Sequence, residues 1–265
     1  MARVTSLDLV AGTPIPIPEL GVEFHQPTLK QIAQMGESNF YQSLAVFMTK
    51  KEDYLAELEK RFENSPELLE EVKGRLAFMN NFQLVLSILD ANKESIGILR
   101  SFLFVVFPNL SKCFIDEIAM ILSFKVGVKE DGSPEIKQVI INEGEFNAIA
   151  EVVQDLFASE ELNKSAFNPA NDKAASIAAK IEARRAKVAA ENGLDKKKTS
   201  MIATSISILS TIGFTPLDTI LNYTLPQLGF QLDRAKQFVS YETQMTLGAF
   251  SGLKDVEIAD WAKLI

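Results

Sequence analysis

The feature that most constrains this chain is helical spacing of its apolar residues, broken by one stretch that alternates. "PTLKQIAQMGE" places Leu29, Ile32, Ala33 and Met35 on roughly one face, with Pro27 suited to a first turn and Gly36 to a stop. "NFYQSLAVFM", "KEDYLAELEKRF" and "SPELLEEVKGRLAFMNNFQLVLSILDA" continue in that style, and Ser65 before Pro66 is a start signal. By contrast, "FKVGVKEDGSPEIKQVII" alternates at Phe124, Val126 and Val128, turns through Asp131, Gly132, Ser133 and Pro134, and resumes with Ile136, Val139, Ile140 and Ile141. This predicts a β-hairpin near 122–141, after which Asn142 and Glu145 form a reciprocal cap and a helix resumes. An isolated hairpin is marginal in water, so it must pack on the helices or pair with another copy. The expected fold class is mainly α: a multi-helix protein with one inserted β-hairpin, the β part being minor.

With 265 residues the chain has room for one large domain or two ordinary ones. The expected division is an N-terminal helical domain, 1–158, carrying the hairpin, and a C-terminal helical region, 159–265. A net charge of −8 argues against a protein that wraps nucleic acid, because phosphate binding needs a positive field. A single cysteine, Cys113, excludes an internal disulfide or a Cys-rich zinc site and fits a reducing compartment. The opening residues meet Asp8, Pro14, Pro16 and Pro18 before any apolar run, so they read as an extended arm and not as a secretory signal. "ILRSFLFVVFPNL" and the uncharged stretch from Thr199 to Leu217 are too interrupted for a membrane span and read as buried helices.

Charge is segregated along the chain. Between Lys164 and Lys198 there are nine Lys or Arg and four Asp or Glu, in a chain that is negative as a whole. "FNPANDKAASIAAKIEARRAKVAAENG" predicts a basic, Ala-rich helix with Asn168 as cap, Pro169 at its first position and Gly193 as stop, followed by a linker near 192–200. At 100° per residue, Lys173, Lys180, Arg184 and Lys187 form one stripe, with Ile177, Ile181 and Val188 directly beside it. The stripe fits a solvated edge, or equally an acidic protein partner or second subunit. No aromatic side chain is interleaved for base stacking, so no nucleic acid is expected as a partner.

In "LNYTLPQLGFQLDRAKQFVSYETQM", Thr224 and Gln227 form a capping box, with Pro226 tolerated in the first turn. Leu228, Leu232, Ala235 and Val239 mark one stripe, while Phe230, Phe238, Tyr241 and Met245 widen the apolar surface. Such a helix needs cover, from the core or from a partner.

These residues also carry a resemblance. "TLPQLGFQLDR" resembles the Thr-x-x-Gln-x-x-x-x-x-x-Arg block of phage tail assembly chaperones of long-tailed phages, and "FNPANDKAASIAAKIEARRAKVAA" is similar to the Asn-Pro-Ala-Asn helix of that family. "PTLKQIAQMGESNFYQSL" is similar to the family's Pro-x-x-x-x-Ile-x-x-x-Gly-Glu opening, and Leu247, Gly248, Ala249 and "WAKLI" sit where it has comparable elements. Gly229 stands where the family often has an aromatic, and "LGAFSG" departs from its Ala-Gly-rich ending. The resemblance implies a non-enzymatic protein of the host cytoplasm that binds and solubilises the tape measure protein during tail morphogenesis. The tail tube protein is a further expected partner. A structural tail or baseplate component retained in the virion is the alternative.

Residue chemistry points the same way. His25 is the only histidine, which excludes a multi-histidine metal site, and the thirteen glycines include neither a P-loop nor a dinucleotide pattern. Cys113 beside Phe114 and Ile115 reads as a small buried hydrophobe. No catalytic, cofactor-binding or metal residue is expected, and no cofactor. The expected partner-binding residues are Lys173, Lys180, Arg184, Lys187, Phe230, Phe238 and Tyr241. Free hairpin edges and large apolar helices also predict a homo-oligomer, and no membrane partner is expected.

Overall fold

Local capping organises the chain from its first described residues. The computed structural model describes residues 4–62, 65–129, 131–157 and 200–251. Thr5 and Asp8 form a capping box that starts helix α1 (Ser6–Ala11), and Gly12, at φ 67°, ends it in the left-handed region. The start is therefore not wholly an extended arm. A box and a glycine suffice for six residues here because the buried Gln26 amide donates to the Asp8 and Thr13 carbonyls at 2.9 and 3.1 Å, holding the end of the turn from outside. Strands β1 (Ile15–Ile17) and β2 (Val22–Phe24) follow as a small antiparallel hairpin, with Ile15 opposite Phe24. Prolines 14, 16 and 18 are tolerated because a two-stranded ribbon leaves half of its backbone donors without a ladder partner.

Helices then accumulate: α2 (Leu29–Met35), α3 (Glu37–Met48), α4 (Lys51–Arg61), α5 (Pro66–Ala77), α6 (Asn81–Ala91) and α7 (Lys93–Val106). Thr28 caps α2 in a box with Gln31, so Pro27 precedes the helix and is not in its first turn. A third box, Asn80 with Gln83, divides the long apolar run into α5 and α6. Their inward faces supply a phenylalanine core. Phe47 stacks on Phe146 at 5.4 Å, Phe40 meets Phe157 edge-on at 5.5 Å, and Phe24 meets Phe107 at 5.7 Å. Each such ring contributes about 1.5–3 kcal/mol by burial, with a further ~0.5–1.5 kcal/mol from ring geometry. A satellite cluster of Leu58, Leu76 and Leu84 joins α4, α5 and α6, with Lys73 reaching Glu59 across the surface at 2.8 Å.

The expected hairpin is present as β4 (Met120–Val128) and β5 (Pro134–Ile141), turned at Gly132 with φ 79°. A preceding strand, β3 (Leu110–Ile115), makes it a three-stranded antiparallel sheet in the order β3-β4-β5. The single hairpin of the sequence reading is thus one of two small sheets. Opposite residues share a face, so Ile115, Met120 and Ile141 form one inward row and Phe114, Ile121 and Ile140 one outward row. The inward side packs on α7 and on α8 (Glu143–Phe157). Helix α8 starts where expected: the Asn142 amide donates to Glu145 at 3.1 Å and the Asn142 side chain accepts from Gly144 at 2.8 Å.

The remaining described elements are α9 (Met201–Ile212), α10 (Leu217–Leu221) and α11 (Leu225–Ser251). Two compact units divide the chain: Met1–Ala158 with Leu221–Gln227, and Ser159–Ile220 with Leu228–Ile265. The division falls inside α11, after its first turn. The protein is mainly α with a minor β component. The uncharged stretch expected to be buried is so only in part. Ile202 and Leu209 of α9 are buried, while Met201, Phe214 and Leu217 are exposed, so this helix covers its surface through two positions only. The basic, Ala-rich helix lies outside the described residues, as does the linker apart from Ser200. That residue caps α9 by accepting from the Ala203 amide at 2.9 Å.

Candidate functional site

The block "TLPQ" at the start of α11 is a junction in the first unit. Gln227 Oε1 accepts from the Thr224 amide at 2.8 Å, and the Thr224 hydroxyl accepts from the Gln227 amide at 3.4 Å, which is the expected box. "TLKQ", residues Thr28 to Gln31, makes the same pair: the Thr28 amide donates to Gln31 at 2.9 Å and the Gln31 amide donates back to the hydroxyl at 3.3 Å. The two boxes touch. Thr28 and Thr224 form an isolated antiparallel bridge, and the Leu29 amide donates to the Tyr223 carbonyl at 2.8 Å. The free end of Gln227 then donates to the Val10 carbonyl at 2.9 Å. A side chain at Gly12 would place its Cβ 3.0 Å from Gln227 Nε2, so glycine serves both the left-handed turn and this close approach.

Three segments that are distant in sequence meet there: 5–13, 25–31 and 223–227. Gln227 spends both ends of its side chain on backbone groups, Gln31 its carbonyl and Gln26 its amide nitrogen, so the arrangement fixes where α11 begins. The Asp8 carboxyl is held below its ordinary value of 3.8 by the Thr5 hydroxyl first, then by the Thr13 hydroxyl and the Thr5 amide. That too stabilises the turn.

Of the expected partner-binding residues, Lys173, Lys180, Arg184 and Lys187 lie outside the described residues. Phe230, Phe238 and Tyr241 are on α11. At 100° per residue they fall within about 80° of one another, on one side of the helix. Phe230 and Tyr241 are half-buried and Phe238 is 42% exposed. Sequence reasoning missed Phe214, which is 89% exposed and sits at φ 47°, a conformation unusual for a bulky side chain. No spacing rule could have found it, because it lies in the turn between α9 and α10.

A shallow groove of about 450 Å³ lies between α2, the start of α3 and α7. Its polar groups are largely spent internally: Asn39 donates to the Met35 carbonyl and Ser101 to the Gly97 carbonyl, leaving Glu94 as its only ionisable residue. One carboxylate without a second acid or a base does not make an acid/base pair. Cys113 is half-buried, and burial pushes its thiol up to about 11, against the opposing charge of Arg100. It is correspondingly unreactive at neutral pH. Among the described residues no group of three or more His, Cys, Asp and Glu could hold a metal ion, and no helix is long and apolar enough to cross a membrane.

Comparison with protein-family models, with curated proteins and with solved structures returned no match.

Proposed function

We propose that this chain is a tail assembly chaperone of long-tailed phages: a non-enzymatic protein of the host cytoplasm that binds and solubilises the tape measure protein until tail tube subunits replace it. One observation supports the reading beyond the sequence blocks themselves. Two blocks far apart along the chain, Pro27–Glu37 and Thr224–Arg234, adjoin at the Thr28–Thr224 bridge. Blocks that resemble one family in order along the chain, and that also share one structural junction, belong together more readily than scattered coincidences do. In this reading Thr224 and Gln227 are positioning residues. They set the origin of α11, whose Phe230, Phe238 and Tyr241 would meet the client's apolar surface, while Lys173, Lys180, Arg184 and Lys187 would meet its acidic groups.

Co-expression with the tape measure protein of the same phage tests the proposal. The client is expected in the soluble fraction only when this chain is present, and the chain is expected to be missing from purified virions. A client equally insoluble with and without it removes the chaperone function, and stoichiometric retention in virions makes the chain a structural tail component instead.

A further inference from the structure

Among the described residues, the outward face of the β3-β4-β5 sheet carries apolar side chains that the core does not use. Its row nearest the turn between β3 and β4 is Phe114, Ile121 and Ile140, with Phe114 51% and Ile140 68% exposed; the next outward row is Lys112, Ser123 and Gln138, and Ile136, 43% exposed, lies opposite Lys125 in the row beyond. Lys112 and Lys125 project on this side too, and both are exposed. In a chain of net −8, the face holds two lysines and no carboxylate. Asp116, Glu117 and Asp131 lie in the turns at its ends, and Glu135 is on the other side of β5.

Size selects the occupant. Three strands about 4.8 Å apart and about eight residues long offer roughly 14 by 26 Å, near 370 Å². A stable dimer buries about 800 Å² on each partner, so face-to-face pairing of two copies falls short. One helix fits: its diameter is about 10 Å, and 26 Å corresponds to about 17 residues. The inward face of the same sheet already shows this mode of cover, with α7 on β3 and α8 on β5. Strand addition is the poorer alternative, because β3 has a register break between Leu110 and Lys112 and β5 opens on Pro134.

We infer that the outward sheet face of Phe114, Ile121, Ile136 and Ile140, with Lys112 and Lys125, docks an amphipathic helix of a partner protein whose apolar stripe is flanked by carboxylates. The apolar residues supply affinity by burial, and the two ammonium groups select the sign of the flanking charge. This stands on the geometry of the sheet and goes beyond the chaperone reading, which can fail without affecting it.

The test uses the full chain and two fluorescent helical peptides of about 18 residues with the same leucine stripe, one flanked by Glu and one by Lys. Anisotropy titration is expected to give saturable binding of the Glu peptide, about tenfold or more tighter than the Lys peptide at low salt. Ile140→Glu is expected to weaken the Glu peptide by about tenfold or more, and Lys112→Glu with Lys125→Glu to reverse the preference between peptides. Ile140→Ser, a milder change, is measured beside it, and unchanged melting midpoints establish that the variants are folded. The inference is overturned by equal affinity for both peptides, by no binding of either, or by binding that survives the folded Ile140 variants. It is also overturned if sedimentation shows a dimer of the chain that Ile140→Glu dissolves, since the face would then belong to a second copy.

Discussion

The two faces of one small sheet carry similar side chains and meet different fates. On the inward face Met120, Leu122, Phe124 and Ile141 are buried, with Phe124 edge-on to Phe107 at 5.6 Å. On the outward face Phe114, Ile136 and Ile140 are largely exposed on the same strands. Strand alternation specifies which residues share a face, but apolar content on both sides does not say which side is covered. What decides it here is the pair of helices α7 and α8 on one side only. The lesson concerns function as much as folding: an apolar face that the described residues leave open is a surface on which a partner can act.

The largest effect should come from the covered side. Phe124→Ala is expected to cost about 3–5 kcal/mol through lost burial and a residual cavity, with a matching fall in the denaturation midpoint. A loss below about 1 kcal/mol would show that the inward face is not the packed one.

Thiol chemistry sharpens the same contrast. Cys113 is on the inward face, and its pKa near 11 in place of 9.0 leaves about a hundredfold less thiolate at pH 8. Labelling of the native chain should therefore be about a hundredfold slower than after unfolding and should quicken as pH rises toward 11. An outward thiol introduced as Ile140→Cys in a Cys113→Ala background should label near the free-thiol rate. Equal rates at the two positions would erase the distinction.

The junction gives an intermediate effect. Thr224→Ala is expected to cost about 1 kcal/mol as a lost cap, and Thr28→Ala a similar amount. Because the two boxes touch, the double variant should depart from additivity by about 0.5 kcal/mol or more, whereas strict additivity would mean that they act as separate caps. The smallest effect belongs to the open face: Ile140→Ser should change stability by no more than about 0.5 kcal/mol, as surface substitutions do. A cost near that of Phe124→Ala would mean that the outward face is packed.

Much of this was readable in local signals. Thr224 with Gln227 and Asn142 with Glu145 each mark a helix start because the groups that satisfy one another lie within three residues, while Ser65 before Pro66 marks one through the fixed φ of proline at the first position, without a side-chain cap bond. The alternation from Phe124 to Ile141 located the hairpin for the same reason. Strand β3 was not readable, since Leu110–Ile115 follows the apolar end of α7 after only a short turn and its pairing partner is β4. Helix α1 depends on Gln26, eighteen residues from Asp8, and the junction joins Thr28 to Thr224. Contacts of that range leave no periodic trace. The candidate site divides likewise: Phe230, Phe238 and Tyr241 could be placed on one helix from spacing, whereas the exposure of Phe114 and Ile140 depends on which side α7 and α8 take.

Hydroxyl-radical footprinting of the full chain, alone and with the Glu-flanked helical peptide, tests most directly whether the outward face is open in the chain and closed by a partner. The account predicts that Phe114, Ile136 and Ile140 are oxidised in the free chain across all concentrations and protected in the complex, while Phe24, Phe47 and Phe102 stay protected in both. Protection of Phe114 and Ile140 in the free chain at the lowest concentration, or unchanged oxidation in the complex, would contradict it.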